Sequence, residues 1–143
     1  MRIRSYPSAL TAIAALAVAT SAAAQPVRVP LDQETTIGGV GVACTGIGQT
    51  KNDPKWLTYG VRVEFADSHS AYLAGEDLSL SGAGGEILSI SCEGPWVLLK
   101  LPDSATYQVR ARVTQEGVQP RTASVKAPGH GQTRVVLTFP DAH

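Results

Sequence analysis

The sequence lacks any net charge, since twelve basic residues balance twelve acidic ones over 143 positions. A nucleic-acid binder gathers a basic excess on one face, so that class is not expected. No G-x-S-x-G elbow, no D-x-D-x-D run and no Gly-Lys-Ser/Thr step after a glycine loop occurs. These absences remove the usual signatures of an α/β-hydrolase nucleophile, an EF-hand calcium loop and a phosphate-binding loop. Only two cysteines are present, Cys44 and Cys92, without the short paired spacing of a zinc site. The N-terminal apolar run is about a dozen residues, too short to span a membrane, and no other stretch is long and apolar enough to do so.

That N-terminus has its own character. Arg2 and Arg4 precede a short apolar run from Ser8 to Ala19, and Ala22-Ala23-Ala24 offers small residues for signal peptidase. Residues 1–24 are therefore expected to be a cleaved signal peptide. Gln25, not a cysteine, directly follows the cleavage point, so a lipoprotein anchor is not expected. Cleavage removes two basic residues and no acidic one, leaving ten against twelve, a net charge of −2. The remaining chain is the common size of one domain. Export, with the periplasm as its home in a Gram-negative host, follows as the expected localisation.

In an exported chain an even cysteine count suggests a disulfide, and two cysteines allow one intramolecular pairing. Two buried free thiols are the competing reading. Residues 25–56 hold Gly38, Gly39, Gly41, Gly46 and Gly48 and are read as a mostly irregular segment tied down by Cys44.

Beyond residue 57 the pattern changes to strict alternation. Tyr59, Val61, Val63 and Phe65 oppose Thr58, Gly60, Arg62 and Glu64. The same period recurs at Leu78–Leu80, Leu88–Cys92, Tyr107–Val113, Ala123–Val125 and Val135–Phe139, with turn residues such as Gly84-Gly85 and Gly94-Pro95 between. Trp96 to Leu101 is apolar on both faces until Lys100 and reads as a central strand. About seven short strands and no convincing helix predict an all-β antiparallel sandwich over residues 57–143.

The run Gly94-Pro95-Trp96-Val97-Leu98-Leu99-Lys100-Leu101-Pro102, followed by Tyr107-Gln108-Val109-Arg110-Ala111, resembles the second half of carboxypeptidase-regulatory-like domains. Phe65-Ala66 and Ala71-Tyr72-Leu73 are similar to exported bacterial proteins of that type. The resemblance covers about residues 57–139 and implies a transthyretin-like sandwich. In that family a Leu-Pro-x-Gly-x-Tyr turn opens a strand, whereas here Leu101 and Tyr107 are joined by a longer turn without glycine. Transthyretin-like hydrolases end in Tyr-Arg-Gly-Ser; this chain ends Phe139-Pro140-Asp141-Ala142-His143 and does not match.

Candidate chemistry is thin. Asp67-Ser68-His69-Ser70 places an acid, a hydroxyl and an imidazole together, but consecutive turn residues rarely form a triad. His69, His130 and His143 show no metal-binding spacing. Glu76 and Asp77 face opposite sides of a strand and cannot work as a pair. Trp56 allows two readings, packing of the N-terminal segment onto the sandwich or an aromatic that docks a partner. Arg62, Arg110 and Arg112 occupy outward strand positions and, with Trp56, are the candidate partner contacts. The function expected is a non-enzymatic binding or structural module of the bacterial cell envelope, with a protein or glycan partner and no cofactor. A small periplasmic hydrolase using His69 or His130 with a nearby carboxylate is the competing expectation.

Overall fold

Alternation of apolar and polar residues obliges each strand to bury one face, and two such sheets solve the problem by packing on each other. The structure, a computed structural model, describes residues 12–17 and 25–143. The signal-peptide reading of residues 1–24 thus lies outside the described residues, save 12–17, which are exposed and without regular structure. The described residues form ten strands: β1 Val27–Val29, β2 Glu34–Ile37, β3 Val40–Thr45, β4 Val61–Asp67, β5 Glu76–Gly82, β6 Gly85–Cys92, β7 Trp96–Lys100, β8 Thr106–Val113, β9 Arg121–Lys126 and β10 Thr133–Phe139. One sheet, sheet A, has the order β1-β6-β5-β8-β9, and the other, sheet B, has the order β10-β4-β7-β3-β2. The protein is an all-β sandwich.

All seven strands expected from the alternation are present, and β7 is central in sheet B as its two-sided apolar pattern requires. The expectation of an irregular segment over residues 25–56 is corrected. That segment supplies β1, β2, β3 and two short 3₁₀ helices, Gln49–Asn52 and Pro54–Thr58. Only its turns are glycine loops: Gly38 and Gly39 both take positive φ, 58° and 78°, the backbone a tight hairpin between β2 and β3 needs. The antiparallel expectation also needs amendment, since β1 pairs with β6 and β10 with β4 in parallel.

The core lies between the sheets. Val40, Val42 and Cys44 of β3, Val61, Val63 and Phe65 of β4, and Leu137 and Phe139 of β10 meet Leu78 and Leu80 of β5, Ile90 and Cys92 of β6, and Val109 of β8. Cys44 and Cys92 are disulfide-bonded with Cα atoms 5.7 Å apart, so the bond crosses the core from sheet B to sheet A. Such a bond fits an extracellular or periplasmic location.

Gly94 sits beside that bond, its N–H 3.3 Å from Cys44 Sγ. A Cβ there would lie 2.9 Å from Leu31 Cδ2 and closer still to the Thr45 carbonyl oxygen, which as backbone cannot yield. Gly94→Ala is therefore expected to cost about 1–3 kcal/mol in urea unfolding. A change below a few tenths of a kcal/mol would show the approach to be slack.

The long turn before β8 is closed by Asp103 in place of glycine. Its Oδ1 accepts the Ala105 N–H at 3.0 Å and the Tyr107 hydroxyl at 2.7 Å. Those two bonds hold the Asp103 carboxyl below its ordinary pKa.

Candidate functional site

The outward arginines divide between the two outer faces. On sheet A, register sets Ser79 between Ser89 of β6 and Arg110 of β8, and Asp77 between Ser91 and Arg112. Arg110 in turn lies opposite Thr122, and Gln108 opposite Ser124. The result is a polar grid of hydroxyls, two guanidiniums and a carboxylate, floored by the sheet and bounded by Pro26 and Pro120. It forms an open groove of about 510 Å³ that Glu86 also lines. Arg112 Nη2 reaches Asp77 Oδ2 at 3.2 Å, an exposed pair of small energetic value. Arg110 and Glu86 make no ion pair among the described residues.

Sheet B carries a different face. The small Ala43 of β3 leaves room for the second 3₁₀ helix to lie over the sheet, and Gly41 admits the Lys100 side chain. Proline at its first position and an Asp53 side chain accepting the Lys55 N–H start that helix. It buries Trp56 and Tyr59 against Ala43 and Leu98, a small core outside the main one. Trp56 is only 3% exposed and its indole N–H donates to the Thr50 carbonyl at 2.7 Å. As a partner contact Trp56 is thus corrected: the side chain is consumed by packing.

Arg62 belongs to an ionic cluster at the margin of this cover. Glu64, which alternation places on the solvent side, is fully buried. Arg134 of β10 grips it through Nε and through Nη2 at 3.1 Å, the Tyr72 hydroxyl donates to it at 2.7 Å, and Arg62 Nε stands 3.2 Å away. Burial pushes the Glu64 carboxyl up, but these partners outweigh it and hold the group below its ordinary value. The Arg62 guanidinium stacks on Trp96, 4.4 Å from the ring centre, and Tyr72 meets the same ring edge-on. Sequence reasoning missed Glu64, Tyr72 and Arg134 as a group. Parallel pairing of β10 with β4 puts Arg134 directly opposite Arg62, and that pairing has no local sequence signal.

No protein-family model and no curated protein matches this chain.

The histidine candidates stand apart from carboxylates. Asp67 Oδ1 accepts the backbone N–H groups of His69 and Ala71, at 2.8 and 2.9 Å, which makes it the brace of its own turn. The His69 ring has only a 3.4 Å contact with Ser68 Oγ. His130 lies exposed in the turn before β10. Among the described residues neither imidazole is hydrogen-bonded to an acid, and no group of three or more metal-ligating side chains converges. No helix among the described residues is long and apolar enough to cross a membrane.

Proposed function

We propose that the chain is an exported, non-enzymatic binding module of a bacterial cell envelope, and that the outer face of sheet A is its ligand face. The observation that carries this reading is Arg110, unpaired among the described residues, in the middle of a groove floored by Ser79 and Ser89. Hydroxyls, guanidiniums and carboxylates in a regular grid match the ring hydroxyls of a glycan. A protein interface of usable strength centres on large anchors with apolar surface to bury, and beside its two rim prolines the apolar residues lining this groove, Leu78 and Ala111, are already buried in the core. A glycan is thus the partner class favoured. The likeness of Gly94–Pro102 and Tyr107–Ala111 to carboxypeptidase-regulatory-like domains supports reading β4–β10 as that transthyretin-like unit, with β1–β3 added.

The test is co-sedimentation of the purified protein with insoluble cell-wall glycan. Wild-type protein is expected in the pellet, and Arg110→Ala is expected to bind about tenfold more weakly, the loss of one charge-assisted hydrogen bond. Since Arg110 is exposed and outside the core, its removal leaves folding intact. Wild-type protein left in the supernatant, or equal pelleting of the variant, would refute the glycan face.

A further inference from the structure

The cover over sheet B is incomplete. Between the 3₁₀ helices and the sheet lies a pocket of about 230 Å³, smaller than a drug-sized site. Leu98 and Trp96 belong to its lining from the sheet, Trp56 and Leu57 from the second helix, and Arg62 and Lys51 bring positive charge. Trp96 is 9% exposed, yet its indole N–H is buried and has no partner. A buried donor left unpaired costs about 1–3 kcal/mol, so its retention beside a cavity points to a ligand that accepts from it.

Charge fixes what that ligand is. The lining carries two cations, Lys51 and Arg62, and one carboxylate, Asp53, and behind it Arg62 also meets Glu64, which Arg134 pairs. Both carboxylates are engaged: Asp53 caps the second 3₁₀ helix through the Lys55 N–H, and Glu64 is saturated by its donors. Arg134 is spent on Glu64. Arg62 contacts Glu64 through Nε alone and turns one face of its guanidinium to Trp96. A single positive charge is left over in a setting with apolar walls. That combination suits a monoanion carrying carbon, and suits inorganic phosphate poorly.

We propose that this pocket binds a carboxylate with a side chain of about one residue's size, taking its charge on Arg62 and Lys51 and the Trp96 indole N–H as a further donor. The source is either a peptide C-terminus or a free small acid. This site is on the sheet opposite the glycan face and does not rest on that reading.

Two-dimensional amide NMR of the ¹⁵N-labelled full chain provides the test, because Trp56 and Trp96 give separate indole resonances. N-acetylalanine, its amide N-acetylalaninamide, the acid of trialanine and inorganic phosphate serve as probes, each at about 20 mM. The acid probes are expected to move the Trp96 indole resonance and to leave Trp56, already bonded to Thr50, nearly unmoved. The amide and phosphate are expected to do neither. A shift from trialanine alone assigns the site to chain ends, and one from N-acetylalanine assigns it to small acids as well; both support the proposal. Arg62→Gln is expected to weaken binding about tenfold. Because Arg62 also touches Glu64, Lys51→Ala gives an independent reading, with about two- to threefold weaker binding. Failure of both acids to move Trp96, an equal shift from the amide or phosphate, or unchanged binding by both variants would overturn it.

Discussion

Replacing Cys44 and Cys92 together by alanine is expected to lower the unfolding free energy by about 4 kcal/mol. The bond closes a loop 48 positions long, and its removal returns that loop's entropy to the unfolded chain. Both sulfurs are fully buried between the sheets, so two small cavities add to the loss. Much of a small domain's 5–15 kcal/mol is at stake. Urea unfolding of oxidised wild type against the double alanine variant measures it, and a difference under about 1 kcal/mol would contradict the entropic account. The burial has a second outcome. A reductant added to the folded protein should act only as fast as the sandwich opens, and mild denaturant should accelerate it steeply.

The second large effect concerns Glu76. It is in phase with Leu78 and Leu80, so β5 drives it into the core, where it is fully buried and neither carboxylate oxygen has a partner. Burial pushes its pKa from 4.5 up to about 9, and the charge of Asp77 adds to the shift. The folded state therefore binds a proton that the unfolded state releases above pH 4.5. A raised carboxyl gives stability that is complete below 4.5 and declines as pH climbs toward 9. Between pH 5 and pH 8 the loss is expected to be about 2–4 kcal/mol. Glu76→Met, close in volume and unable to titrate, should flatten that slope and be the more stable protein at pH 8. Denaturation curves at several pH values decide the matter, and parallel pH dependence in variant and wild type would refute it.

Where the sequence was legible, one rule did the work. Alternation over Val61–Phe65 and Tyr107–Val113 marks buried and exposed faces residue by residue, because packing against a second sheet leaves no other arrangement. The same rule places Glu76 inward, although its charge argues the other way. What resisted reading was the N-terminal third. Val40, Val42 and Cys44 do alternate, but their partners Gly41 and Ala43 are small because the Lys100 side chain and the Trp56–Tyr59 cover pack against them. Tertiary contact thus disguised an interior strand, β3, as a glycine loop. The Gly38-Gly39 step between two extended runs was the available hairpin signal.

The site was harder to see for a related reason. Arg110 and Arg112 belong together by simple register, two apart on one strand. Arg62, Glu64 and Tyr72 are neighbours through β4 and its bridge to Tyr72, but Arg134 joins them only because β10 returns to lie beside β4, some seventy residues distant in sequence. Composition gives no hint that an outward glutamate on β4 will be roofed over by tyrosine and arginine.

The cross-sheet bond also sets how far this molecule can be stretched. Tension applied between its two ends runs into Cys44 and leaves by Cys92, bypassing the stretch between them, a sequence separation of 48. That stretch holds β4, β5 and most of β6, and at about 3.5 Å per residue it withholds on the order of 170 Å of contour length. Under load the oxidised protein would yield only its terminal strands and the β7–β10 stretch, while the cystine-bounded part stayed out of the extension.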